Sequence, residues 1–387
     1  FIMPNTKWAW TPKALKFFLE ACDNHEVHLV RGKKNTSKKG LLPTILAFMA
    51  LAMVLFLILT RMGTRSLYET TPWKKCDVTS RTLQHENKAV VCVIVRDEVP
   101  YVEEWVDYNL QVLNFSAIFI YDNSDDDKIK QWAERIMDPR VVVVDHPGRK
   151  AQPRAFQACT KRAKSQGFDF AFFADTDEYL ALFSEKHHDV MDFVADYFSK
   201  TAFCQQGKCQ PTGAVCMNWR ILGTNGEDSY TPVPLSKRFQ LRVIDDYRMN
   251  FNMKCIARLD ALNIETVFTD PHNLPLKKGW RKINTKYETL PSSHSVPVHN
   301  IAAIYHYYFK SKAEYLRKRL RGGGTLGPVE SLINEAMRGI DHFGKPLPVG
   351  IVRDDFVWKA LTCHVPKYQE NKSKFSKNYF GFMSNFD

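Results

Sequence analysis

Two aspartates, Asp175 and Asp177, follow the apolar run FDFAFFA (168–174) with a single threonine between them. Alternate residues of an extended chain point the same way, so both carboxylates are expected to approach one site. Hard carboxylate oxygens suit Mn²⁺ or Mg²⁺ bridged to a diphosphate, where the metal neutralises charge on a leaving group. The plain alternative is a solvated acidic turn, because D-x-D by itself is common. Polar and acidic residues also follow three other apolar runs: Arg96-Asp97-Glu98, then Asp122-Asn123-Ser124-Asp125-Asp126-Asp127, then Asp145-His146-Pro147-Gly148. An acidic edge in a chain of net charge +12 points to a metal ion rather than to a bare anion site.

The elements that must position these residues are legible as alternating runs. AVVCVIV (89–95) is continuously apolar and β-branched, as in a strand buried on both faces. A helix is expected around 101–114, with Val102, Trp105, Val106, Leu110 and Leu113 at three- and four-residue spacing. Strands at 117–121, 141–144 and 168–174 alternate with helices near 128–137 and 153–166, the last opened by Pro153 and closed by Gly167. Such alternation specifies an α/β fold: βαβ units in a mostly parallel sheet with helices on both faces. In that architecture ligands bind beyond the carboxyl ends of the strands, where the polar residues named above fall.

The ordered motifs resemble glycosyltransferase family 92 and related family 2-like enzymes of the GT-A fold. The likeness lies in VCVIVRDEVPYVEEWVDYNLQVLNFSAIFIYDNSDDD, QPRAFQACTKRA and FFADTDEYL, with Asp97 where Asn is usual. It continues through Trp219, Gly223, Gly226 and Arg238-Phe239, with Leu222 where Phe is usual. Lys254-Cys255-Ile256, Asp270-Pro271-His272, Tyr305-His306-Tyr307 and Lys310-Ser311 carry it to about residue 325.

What the resemblance implies is transfer of a sugar from a nucleotide-sugar donor, UDP-linked, to a hydroxyl of a glycan, glycoprotein or glycolipid, with Mn²⁺ (or Mg²⁺) and inversion. Asp175 and Asp177 would hold the metal on the donor diphosphate, with His306 as a third ligand. Asp122 and Asn123 would contact the nucleoside, and Arg96 and Glu98 would line the same edge. Gln152 and Arg154 open a helix, whose N–H groups and positive charge favour phosphate or sugar hydroxyls. For each, a salt bridge or helix cap is the plain alternative. His272 is a weaker candidate. Inversion requires a base on the acceptor hydroxyl, for which Glu178, Asp228 and Asp270 all qualify. The basic run AEYLRKRLRGGG (313–324) is expected to be a solvated helix face rather than a diphosphate clamp. A silent carbohydrate-binding protein and a metal-dependent nucleotidyltransferase are the competing readings. No P-loop, dinucleotide G-x-G-x-x-G or nucleophile elbow occurs.

Ahead of this domain, residues 40–60 are uncharged over 21 positions. As a helix they measure roughly 31 Å, close to the hydrocarbon thickness of a bilayer. Arg31, Lys33, Lys34, Lys38 and Lys39 precede the span, and only Arg61 and Arg65 follow it closely. The positive-inside rule then gives a type II, single-pass protein of the Golgi membrane. Its parts are a cytosolic tail (1–39), a signal anchor (40–60), a stem (61–87) and a lumenal domain (88–387). Residue 1 is Phe rather than Met, which points to a missing N-terminus or an imperfect gene model.

Eight of the nine cysteines fall on the lumenal side, where disulfides are expected. Cys204 and Cys209 make the best local pair, and Cys92 reads as a packed thiol within its strand. Asn114 and Asn371 are sequons on that side. With 26 Phe, 15 Tyr and 8 Trp in 387 residues, global disorder is excluded. The first 60 residues hold a net +5 of the +12, which belongs to topology. With an acidic site edge besides, nucleic acid is not expected as a partner.

Overall fold

A computed structural model describes residues 87–199, 203–205, 208–266, 268–270, 272–322 and 328–369. The expected tail, span and nearly all of the stem lie outside these residues, as does Asn371. Among the described residues no helix is long and apolar enough to cross a membrane.

The first half follows the alternation of the sequence: β1 (Ala89–Val95), α1 (Val99–Asp107), β2 (Ala117–Asp122), α2 (Lys128–Ile136), β3 (Val141–Asp145), α3 (Gln152–Ser165) and β4 (Phe170–Ala174). These strands run parallel in the order β3-β2-β1-β4. Alternate residues of β1 face opposite layers. Val91, Val93 and Val95 pack with Trp105 of α1, and Val90 and Cys92 pack with Phe156 of α3. The unbroken apolar run is thereby explained, because both faces of β1 are covered. After α1 the helix widens into a π-helical turn (Tyr108–Val112), and Tyr108 and Trp105 donate to the carbonyls of Leu180 and Glu178.

The second half was not legible in the alternation. β5 (Glu178–Leu182) and α4 (Val190–Ser199) follow, then the hairpin β6 (Phe203–Gln205) and β7 (Lys208–Gln210), and the long β8 (Thr212–Ile221). Next come α5 (Leu235–Arg238), β9 (Leu241–Arg242), β10 (Met253–Arg258), β11 (Arg281–Ile283), β12 (Ala302–His306), α6 (Lys312–Arg321), α7 (Glu330–Met337), β13 (Val352–Arg353) and α8 (Phe356–His364). The sheet continues as β4-β10-β8-β12-β5, with β11 beside β8. β10 is antiparallel to both neighbours and β5 to β12, so the mostly parallel sheet is mixed beyond β4.

Two disulfides between described residues pin this architecture. Cys92–Cys159 ties β1 to α3, so Cys92 is bonded rather than a packed thiol. Cys216–Cys255 joins β8 to β10 at directly opposed positions. Cys204 and Cys209 face each other in the β6–β7 register, and their side chains lie outside the description.

Candidate active site

Beyond the carboxyl ends of β1, β4 and β12 lies a cavity of about 350 Å³. Arg96, Glu98, Asn123, Gln152, Asp175, Asp177 and His306, all singled out from sequence, line it. Asp97, which lines up with a usual Asn, has φ +54°, a backbone region that Asn and Asp tolerate better than most residues.

The two aspartates reach the cavity by a different route from the one expected. β4 ends at Ala174, and Asp175-Thr176-Asp177 form a tight turn into β5. Strand alternation therefore does not orient them. The turn is closed by the Glu178 N–H on the Asp175 carbonyl at 3.0 Å, and by the Asp175 N–H on Glu178 Oε2 at 3.0 Å. The Tyr307 N–H holds the Asp177 carbonyl at 2.9 Å.

Buried charge of both signs surrounds this turn. Lys254 on β10 is wholly buried, 3.2 Å from Asp175 Oδ2 and 3.3 Å from Glu178 Oε2. Gln152 donates to Asp175 Oδ1 at 2.7 Å. Lys318 lies 2.7 Å and Lys310 3.5 Å from Asp177 Oδ2. At an effective dielectric near 20, unit charges about 4 Å apart attract by about 4 kcal/mol, enough to set protonation states here. Burial opposes the charge on Asp177, but Lys318, Lys310 and His306 outweigh it and hold the carboxyl well below its usual range. Burial, with Asp175 and Asp177 alongside, pushes the Glu178 carboxyl up to about 8 against the pull of Lys254. Burial alone would discharge Lys254, yet Asp175 and Glu178 hold its ammonium above its ordinary value.

The opposite wall is aromatic. Trp219 stands edge-on to His306 at 4.3 Å and to His272 at 5.0 Å between ring centroids. Burial lowers the His306 pKa despite the opposing pull of Asp177. Neither ring nitrogen of His306, nor the indole N–H of Trp219, has a hydrogen-bond partner among the described residues. His272 also borders the cavity. Burial and Lys254 push it down to about 4, and its Nδ1 lies 3.0 Å from the Met253 carbonyl. A carbonyl only accepts, so Nδ1 carries the proton and Nε2 is left as an acceptor.

The basic run is not a solvated face. The N-cap Ser311 and Glu314 form a capping box, and Arg238 holds Glu314 at 2.7 Å, fixing the start of α6. One turn on, Arg317 donates to the Asp97 carbonyl at 2.9 Å, and Arg321 pairs with Glu98. Lys318, Arg319 and Arg321 all border the cavity. Lys254, Lys310 and Lys318 were not named as site residues from sequence. For Lys254 and Lys310, a lysine within or beside an apolar run was the available signal, since such an ammonium demands a buried carboxylate.

The remaining candidates lie elsewhere. Asp122 is buried below the cavity edge and accepts the Ser124 N–H at 2.9 Å. Arg154 is exposed and turned toward the Arg149 carbonyl at 3.5 Å. Asp228 forms a surface pair with Lys312 at 2.6 Å. Asp270 accepts the His272 N–H at 2.8 Å in its own loop. Glu178 is wholly buried beneath the turn.

A divalent cation fits the residues present. Asp177 Oδ1 and His306 Nε2 are 3.4 Å apart, close to the ~3 Å separation of adjacent ligands around one octahedral ion. Neither imidazole nitrogen is taken up by a hydrogen bond among the described residues, so a lone pair can be offered to a cation, and Asp175 borders the same cavity. No group of three or more His, Cys, Asp or Glu forms a ready metal cage among the described residues. Mg²⁺ commonly takes one or two carboxylates and completes its shell with substrate phosphates and water.

No family model matches the chain. It is similar to curated plant proteins, each described as a glycosyltransferase family 92 protein. One from Ricinus communis is 32% identical over 206 residues, covering 53% of this chain and 34% of the relative. One from Oryza sativa subsp. japonica is 24% identical over 196 residues, 50% and 30% respectively. One from Arabidopsis thaliana is 32% identical over 96 residues, 24% and 16%. These relatives bear out the family resemblance read from the ordered motifs. The aligned part is at most 34% of a relative's length. Among solved structures, S. aureus TarS has a TM-score of 0.31 at 12% identity, covering 65% of this chain and 42% of that one. GalNAc-T7 with UDP, GalNAc and Mn²⁺ has a TM-score of 0.33 at 10% identity, covering 60% and 47%. At these scores neither likeness carries an argument.

Proposed function

We propose that this protein is a GT-A glycosyltransferase that moves a sugar from a UDP-linked donor to an acceptor hydroxyl of a glycan or glycoconjugate, with inversion and with Mn²⁺ or Mg²⁺. The observation that carries this reading is the convergence of Asp175, Asp177 and His306 on one cavity beyond the strand ends, with His306 Nε2 3.4 Å from Asp177 Oδ1. The similarity to family 92 proteins supports the reaction class.

Asp177 and His306, with Asp175, would hold the metal. When bound, it would neutralise charge developing on the departing nucleoside diphosphate. Lys310 and Lys318 add positive charge on the same side, and Trp219 offers an apolar wall with one N–H for a sugar ring. Of the three acids named for the base, none borders the cavity, and Glu178 alone is built into the turn, accepting the Asp175 N–H at 3.0 Å and pairing with Lys254 at 3.3 Å.

The protein is further read as a type II Golgi membrane protein. The charge bias around residues 40–60 and two disulfides in the folded domain support this, because disulfides persist in oxidising compartments. A mobility shift on enzymatic deglycosylation, lost in the Asn114→Gln/Asn371→Gln double variant, would test lumenal exposure.

The deciding experiment is a screen of UDP- and GDP-sugars with Mn²⁺. Metal-dependent release of UDP that disappears in Asp177→Asn, with an unchanged melting transition, is the expected result. Full activity in that variant, or release of pyrophosphate, would overturn the assignment.

A further inference from the structure

Asp177 already has a cation on the carboxylate that a metal needs. Two ammonium groups approach its Oδ2, and they are held differently. Lys310 is buried, 3.6 Å from Glu98, with its ammonium 4.2 Å from the centre of the Tyr101 ring. That side chain is built into the wall. Lys318 makes the closer contact at 2.7 Å, yet its side chain keeps 24% of its surface exposed. Its ammonium also stands 4.3 Å from the centre of the Tyr308 ring at the cavity margin. The backbone that carries it is fixed, because Glu314 is gripped by Ser311 and Arg238 one turn before, and Arg321 is paired with Glu98 after. The four-carbon stem of a lysine can swing while its helix stays in place.

We propose that Lys318 is an internal rival of the divalent metal at Asp177, and that it exchanges Asp177 for the donor's diphosphate when metal and donor bind together. The inference rests on the metal-dependent reading above. A metal arriving alone must displace a charge-assisted hydrogen bond and then sit beside the displaced ammonium. A metal arriving with a nucleoside diphosphate brings the anion that takes this ammonium up. Metal and nucleotide therefore strengthen each other's binding, and by linkage the effect is reciprocal. The donor-free site stays charge-compensated, so Asp177 can be buried without a metal.

The test is Mn²⁺ binding, read from the paramagnetic resonance signal of the free ion, with and without UDP. Wild type, Lys318→Met, Lys318→Arg and Asp177→Asn would be compared, each checked by thermal melting. Wild type should bind Mn²⁺ weakly alone and about tenfold or more tightly with UDP. Lys318→Met should bind Mn²⁺ alone about tenfold more tightly than wild type, with most of the UDP enhancement lost. Lys318→Arg should stay close to wild type, and Asp177→Asn should lose binding. Unchanged or weaker Mn²⁺ affinity in a folded Lys318→Met would overturn the role of Lys318 alone. Absence of Mn²⁺ binding in wild type and Lys318→Met, even with UDP, would overturn the metal reading and this proposal with it.

Discussion

His306 Nε2 lies 3.4 Å from Asp177 Oδ1 because β12 and β5 are antiparallel neighbours paired with His306 opposite Glu178. Residues 129 positions apart in sequence are thus brought together by one register. A slip of one residue would turn His306 to the other face of the sheet. Trp105, donating to the Glu178 carbonyl at 2.8 Å, ties α1 to the same point.

Lys254 is expected to be a stability residue as well as a site residue. Lys254→Met leaves Asp175 and Glu178 without their buried counter-ion. Breaking such a pair from one side costs about 3–5 kcal/mol. Urea unfolding at neutral pH should show that loss, and adding Asp175→Asn should recover part of it. A loss below about 1 kcal/mol would mean that the carboxylates are solvated on loss of the lysine.

The Cys92–Cys159 bridge closes a separation of 67 residues between β1 and α3. By the chain-entropy account such a loop contributes about 4 kcal/mol. The Cys92→Ser/Cys159→Ser double variant should lose about that much stability in denaturant. If the sheet were held chiefly by burial, the two curves would nearly coincide.

Glu104 supplies a pH dependence that lies away from the cavity. Its buried carboxyl accepts from the Leu235 and Ser236 N–H groups and the Ser236 hydroxyl, fixing the start of α5. Burial outweighs those donors and lifts its pKa from 4.5 to about 7. A carboxyl raised in the folded state contributes stability that is complete below the unfolded value and is lost as pH rises through the folded one. Between pH 4.5 and 7 this group should therefore remove stability, on the order of 3 kcal/mol in all. Glu104→Gln should be less stable at pH 5, and the gap to wild type should narrow by pH 8. Parallel profiles would contradict this.

Arg238 governs how α6 is presented. It bonds Glu314 at 2.7 Å and Glu227 at 2.8 Å from a buried position. Arg238→Met should leave Glu314 held by Ser311 and Tyr101 alone. Amide exchange over residues 312–321 should then accelerate well beyond the change in β1 or β4. Equal acceleration everywhere would indicate global destabilisation instead.

The first half of the molecule is legible from its residues alone. Apolar β-branched runs at β1 to β4, separated by amphipathic helices, admit few arrangements, because a strand apolar on both faces must be covered on both. Equally legible is that Asp175 and Asp177 stand at a strand end, since that follows from local order along the chain. What meets them is set by packing between distant elements. Lys254, His306 and Lys318 come from β10, β12 and α6, and antiparallel register and helix docking are long-range choices that no local period encodes. The same holds for Cys92, whose apolar surroundings suggested a packed thiol until α3 placed Cys159 across from it. The basic face of α6 looked solvated because charge patterning records composition along one helix and not the buried carboxylates that another element presents to it.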